Sequence, residues 1–120
     1  MYKRQALSAA DYIDVLNART AWIADVQAQM TDHDALVMPT VPVIAPKLDE
    51  TAASDEVYTQ TNLLLLRNPT MINFLDGCAI SLPCHRPGDA PVGLMLAAPR
   101  LHDQRLLAIG LAVEAALHGA

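Results

Sequence analysis

Charge is scarce in this chain. Only 18% of its 120 residues are Asp, Glu, Lys or Arg, where ordinary globular domains carry roughly 25%. Hydrophobic residues make up 52% and the mean hydropathy is +0.22. Little polar surface is left to cover a core, which implies that part of the apolar surface is meant to be covered by more protein. Basic residues are scarcest: eight Lys and Arg stand against 13 Asp and Glu, giving a net charge of -5 and a pI of about 5.1. They never cluster, so the basic stripe that nucleic-acid binding requires is missing. Long apolar runs are missing too. The longest, Leu106 to Leu117, is interrupted by Glu114 and falls short of the ~20 residues that span a bilayer. No apolar core follows Met1-Tyr2-Lys3-Arg4-Gln5, as a signal peptide would need, so the cytoplasm is the expected location and no membrane is expected as a partner.

Cysteine is nearly absent. Cys78 and Cys84 lie six residues apart around an expected strand; at ~3.3 Å per residue their Cα atoms stand about 20 Å apart, too far for a disulfide. Both are expected reduced. The four histidines, His33, His85, His102 and His118, are scattered and lack the paired spacing of a structural zinc site. No metal and no cofactor is expected. Serine, lysine and glycine are also few: Ser8, Ser54 and Ser81; Lys3 and Lys47; and five glycines, no two adjacent. A chain of this length makes one domain or part of one, and on its own would bury somewhat under ~70% of its unfolded surface.

The pattern that is present alternates helices and strands. Ser8-Ala9-Ala10-Asp11 has the form of a capping box with Asp in the Glu position. It opens a stripe of Tyr12, Val15, Leu16, Trp22, Ile23, Val26 and Met30 at helical spacing. Arg19 interrupts that stripe, its aliphatic stem free to pack while its head reaches water, and Trp22 reads as a core anchor. Ala35 to Met38 reads as a buried strand stopped by Pro39, and Val41 to Ser54 as an irregular loop. Glu56 to Arg67 reads as a helix ending in Leu63 to Leu66. The acids around its start, Asp49, Glu50, Asp55 and Glu56, suit a solvated loop and a first turn. Asn68-Pro69 predicts a break, with a new short helix from Pro69 to a stop near Gly77. Cys78 to Leu82, closed by Pro83, is a second strand; Arg86 to Pro91 is a turn signal. Val92 to Ala97 is a third strand, apolar on both faces and so suited to the inside of a sheet covered by helices. Asp103 is placed to cap a last helix, Gln104 to His118, apolar nearly all round. Doubly covered strands and all-round apolar helices demand more layers than 120 residues supply, which points to a missing remainder of the fold.

The segments Asp34 to Thr40, Asn73 with Gly77, Ala79-Ile80-Ser81-Leu82-Pro83, Pro91 to Leu96, and Asp103, Leu106, Leu107 and Glu114 occur in an order that resembles the amidase-signature family of hydrolases. The resemblance covers about Ala35 to Ala116 and corresponds to the carboxy-terminal end of such an enzyme; the first helix fits less distinctively. It implies an α/β fold, a partial mixed sheet of about three strands flanked by helices, with residues 1–120 forming an incomplete C-terminal part of one amidase-signature domain. The complete enzyme would attack an amide carbonyl with a serine to give an acyl-enzyme, with a second serine and a lysine moving protons. Serine is a poor nucleophile until a base takes its proton, and oxyanion donors can each be worth about two to three powers of ten. The Gly/Ser-rich segment that carries the nucleophile is absent, and Ser81, expected within a buried strand without a Gly-rich turn, is not assigned that role. No catalytic residue is assigned.

The resemblance marks Thr70 and Asn73 as candidate substrate-binding residues, because this part of related enzymes helps wall the acyl site. They share a helix face at i and i+3. The plainer reading of both is helix capping and local hydrogen bonding. Some glutamine-using relatives carry an acid shortly before this threonine; Leu64, Leu65 and Leu66 stand there, pointing away from transamidation and towards an apolar acyl group on a simple or aryl carboxamide. Pro39 and Thr40 follow a strand end, where α/β folds place ligands, although stopping the strand is explanation enough for the proline. Cys84 beside His85 invites a nucleophile–base reading, but neighbours in extended chain point opposite ways. The expected partners are therefore a small-molecule amide in the complete enzyme, and an N-terminal catalytic half or further copies of the chain. A small non-catalytic protein that docks on a partner chain is the alternative, and a truncated reading frame with no function of its own is a third.

Overall fold

The computed structural model describes residues 7–119. Their order is α1 (Ala9–Gln29), β1 (Leu36–Pro39), α2 (Leu48–Thr51), α3 (Asp55–Phe74), β2 (Cys78–Pro83), β3 (Gly93–Ala98) and α4 (Asp103–His118). The chain divides into two units, Met1–Asp32 and His33–Ala120.

The first unit is helix α1. Its start is set by the capping box: Asp11 N–H donates to Ser8 Oγ at 3.1 Å, and Ser8 N–H donates to Asp11 Oδ2 at 2.8 Å. Two of the donors that every helix leaves over at its N-terminus are thereby used. No residue of α1 is buried. Arg19, Trp22, Ile23, Val26 and Met30 are its half-buried positions, one stripe at spacings of three and four that includes the arginine. Trp22 is thus half-buried, not the core residue expected of it.

The second unit is built around β3, the middle strand of a three-stranded sheet in the order β1-β3-β2. Both ladders are antiparallel, with Met38 opposite Met95 on one side and Ser81 opposite Met95 on the other. Facing residues in a ladder share a side of the sheet. Met38, Met95 and Ala97 therefore form one face, closed by Ile72 of α3. Leu82, Leu96 and Ala98 form the other, closed by Leu106 of α4 with Ile109 and Val113 around it. Gly110 lets α4 sit close: a Cβ there would stand 3.3 Å from Ile80 Cδ1. Met95 to Ala98 are all buried, as a central strand requires.

Several expectations need correction. Pro69 does not break the helix: α3 runs through it to Phe74. An interior proline removes one hydrogen bond and costs ~3 kcal/mol or more, but α3 is held on both sides of it. Asn68 Nδ2–H donates to Pro39 O at 2.8 Å just before Pro69, and Ile72 and Leu75 are buried just after. The helix then stops in a Schellman arrangement, with Gly77 N–H on Ile72 O and Asp76 N–H on Asn73 O. Asp76 takes the left-handed position, φ 59°. The segment read as an irregular loop holds one helical turn, α2. Helix α4 is preceded by His102 as N-cap, and Asp103 is its first residue, not its cap. Among the described residues only β3 is covered on both faces; β1 and β2 are sheet edges, and Val37 is 57% exposed.

Hydrogen bonds from the Ser8 side chain and then its backbone hold the Asp11 carboxyl below its ordinary value of 3.8, against a small opposing effect of desolvation. A carboxyl with a depressed folded pKa contributes stability that is present above the unfolded value and lost as pH falls through the folded one. The start of α1 is therefore expected to loosen below about pH 3.8. Amide exchange at Asp11 and Tyr12 should accelerate there. Asp11→Asn should erase that pH step, and an unchanged step in the variant would contradict the assignment.

Candidate functional site

The polar groups that meet in this fold lie at one end of the sheet, where β1 finishes and β3 begins. Thr40 N–H donates to Gly93 O at 2.8 Å, carrying the β1–β3 ladder one residue beyond the strand. This pairing puts the Thr40 side chain on the face that α3 covers. Ser81 reaches the same face from β2, across the central strand. Their hydroxyls meet over Gly93, with Thr40 Oγ1 and Ser81 Oγ 2.5 Å apart. They can meet only because residue 93 has no side chain. A Cβ there would lie 2.5 Å from Ser81 Oγ and 2.6 Å from Thr40 Oγ1. Asn68 completes the corner by donating to the carbonyl of Pro39.

Ser81 is exposed, contrary to the buried strand expected, because β2 is an edge of the sheet. Its hydroxyl partner is another hydroxyl. Neither is a base able to take the serine proton, so the pair is no Ser–base dyad. What it offers is one shared hydrogen bond, with a proton and lone pairs left over for a further polar group.

Thr70 and Asn73 are both exposed on α3. The sheet-facing stripe of that helix runs Leu65, Asn68, Ile72 and Leu75, at spacings of three and four. Thr70 falls on the opposite side and Asn73 to the flank, where its carbonyl serves the Schellman turn. The structure does not bring either to the Thr40–Ser81 pair. Asn68, whose signal was read only as a helix break, is the α3 residue that reaches the strand end.

Beyond the same end of the sheet, a half-open cavity of about 440 Å³ is lined by Ile44, Cys84, His85, Arg86, Asp89 and Val92. Cys84 Sγ is 3.5 Å from Val92 O, and His85 Nδ1 accepts from Val92 N–H at 3.4 Å. Thiol and imidazole thus both turn to the Val92 backbone and not to each other. Both cysteines are free. Among the described residues no group of three or more His, Cys, Asp or Glu is placed to hold a metal ion, and no helix is long and apolar enough to cross a membrane.

The Gly93 contact makes a direct prediction. Gly93→Ala must push the two hydroxyls apart and is expected to destabilise the second unit by about 1–3 kcal/mol, as overpacking does. Adding Ser81→Ala should recover part of that loss in urea denaturation. A Gly93→Ala chain as stable as the parent would refute the contact.

Comparison with known proteins matches most of this chain to one family. A protein-family model described as Amidase matches residues 1–107. A 2-amino-5-chloromuconic acid deaminase from Comamonas testosteroni is 35% identical over 85 residues, 70% of this chain and 18% of the relative. A glutamyl-tRNA(Gln) amidotransferase subunit from Streptomyces avermitilis is 37% identical over 109 residues, 89% of this chain and 21% of the relative. The corresponding amidotransferase subunit from Mycobacterium tuberculosis H37Ra is 36% identical over 117 residues, 92% and 23% of the respective chains. No solved structure matches. The chain thus spans about a fifth of the length of the curated relatives it matches. A family match across α1, all three strands and the start of α4 makes this chain a member of the amidase family.

Proposed function

We propose that residues 1–120 form an incomplete, carboxy-terminal part of one amidase domain. In the complete enzyme that domain hydrolyses a carboxamide C–N bond through an acyl-serine intermediate, and this segment alone is inactive. The observation that carries the reading is the combination of family membership with a span of about a fifth of the relatives. Of the chain's three serines, Ser8 and Ser54 cap helices and Ser81 pairs with a threonine hydroxyl. The carboxylate that meets Ser8 is Asp11 of its own capping box, at an exposed helix start. What the segment does contribute is a rigid sheet end with neutral hydroxyls on one face. Leu64, Leu65 and Leu66 on α3 favour an apolar acyl group over glutamine, so hydrolysis of a simple or aryl carboxamide is preferred here to the amidotransferase role named for the Streptomyces relative.

A second reading, a small non-catalytic protein that docks on a partner chain, is favoured by the apolar side chains left in water. Within the second unit Leu107, Leu111 and Leu101 are 55%, 70% and 82% exposed. Contiguous exposed apolar surface marks sites of association.

The test is release of ammonia from acetamide and benzamide. The purified 120-residue chain should give none above buffer, and activity should arise when it is mixed with the upstream portion of an amidase. Serine-dependent ammonia release by the chain alone would overturn the reading. A mixture that stays inactive while the chain forms a stable complex with that portion would favour the docking protein.

A further inference from the structure

Helix α4 is apolar on two opposite sides, and only one of them is covered. Leu106, Ile109, Gly110 and Val113 turn to the sheet. At 3.6 residues per turn the opposite side carries Gln104, Leu107, Ala108, Leu111, Ala112 and Ala115, all of them exposed. Arg105 and Glu114 flank this outer side, each about 90° from its centre and to opposite hands.

The outer side is complementary to itself. Turned end for end about an axis through its middle, between residues 109 and 110, it sets Leu107 opposite Ala112 and Ala108 opposite Leu111. Each large side chain then meets a small one. The same turn brings Gln104 opposite Ala115 and Arg105 opposite Glu114, a cation against an anion. A parallel arrangement has no such match: it sets Leu111 beside Leu111 and leaves Arg105 and Glu114 nine residues apart along the axis.

We infer that two copies of this chain pair through α4, antiparallel and about a two-fold axis. The inference rests on the docking reading of the exposed leucines and names the partner. A second copy is the occupant because the matches in size and charge all fall within one helix, and they are realised only when α4 meets α4. The alanines at 108, 112 and 115 let the two axes approach to the short end of the usual 8–10 Å range. Arg105 also donates to Asp34 of its own chain, and its guanidinium has further N–H groups for Glu114 of the second copy. An exposed ion pair adds little affinity and mainly fixes the register, so the leucines carry the contact. Two helices of 16 residues, about 24 Å long each, make an interface at the low end of the specific range. The dimer therefore forms and dissociates with concentration.

The test is sedimentation equilibrium of the 120-residue chain over a wide concentration range, with circular dichroism of each variant. The mass should rise from one chain to two. Leu111→Glu, at an exposed position outside both cores, should keep the helical signal and weaken association by about tenfold or more. Leu111→Ala leaves alanine opposite alanine, and Ala108→Leu sets leucine opposite leucine; each should weaken association. The double variant Ala108→Leu/Leu111→Ala exchanges large for small on both helices and should restore it. A double variant weaker than either single change would overturn the antiparallel pairing, and so would a dimer that Leu111→Glu leaves intact. A chain that stays monomeric throughout also overturns the inference. Mixing that monomer with the upstream portion of the Streptomyces avermitilis relative then decides the docking reading separately, which survives on a stable complex and fails without one.

Discussion

Strand β3 is hydrogen-bonded along both edges and buried on both faces, and every other part of the second unit is placed by that fact. Its alternate residues supply two separate cores, Met95 and Ala97 towards α3, Leu96 and Ala98 towards α4. A strand in that position must be apolar at consecutive residues, and Gly93-Leu94-Met95-Leu96-Ala97-Ala98 is. The one residue without a side chain stands where the strand begins. There it leaves room for neighbours on both sides to touch, and the Thr40–Ser81 contact links β1 to β2 over the top of β3. The two edge strands are thus connected through the central ladder and again by side chains that bypass it.

Helix α3 shows how strongly that arrangement constrains its surroundings. Its proline costs a backbone hydrogen bond, yet the helix continues because Asn68 and Ile72, one turn apart, are both committed to the sheet. Asn68 serves two purposes at once. It fixes the helix at the level of Pro69 and it occupies the carbonyl at the end of β1. A helix-stabilising contact is in this way also a tie between α3 and the end of β1.

Much of this was legible in the sequence, where a local rule decided the outcome. The Ser8–Asp11 box follows from the reciprocal bonds that an i, i+3 spacing permits, and the doubly apolar run at residues 93–98 can hardly be anything but a covered strand. What was not legible depends on register or on tertiary competition. The bias of residue 68 against helical geometry is a local preference of modest size, and its own bond to Pro39 with the burial of Ile72 and Leu75 beyond it prevails. Thr40 and Ser81 are 41 residues apart, and no pattern brings them together until the strands are paired through Gly93. Ser81 looked buried because its run of neighbours is apolar; which strands are edges is a property of the sheet, not of the run. Thr70 and Asn73 share a helix face as their spacing requires, but spacing does not say which face meets the sheet, and that is fixed by Asn68, Ile72 and Leu75.

The corner at residues 40, 68, 81 and 93 also limits what chemistry this segment can supply. Acyl transfer from an amide needs a nucleophile whose proton has somewhere to go, and donors preorganised where negative charge develops. Two neutral hydroxyls sharing one hydrogen bond give neither a base nor a cation. They give a polar group of fixed position on an otherwise apolar face, made rigid by a ladder on each side. In the amidase reading, a nucleophile and base would have to be carried on chain beyond these residues and brought to a surface that this segment holds still. The scarcity of charge in the sequence is consistent with that division. A segment whose surfaces are to be covered by the rest of its own fold has little use for charged side chains, and exposed leucines such as Leu107 and Leu111 on α4 then face protein instead of water.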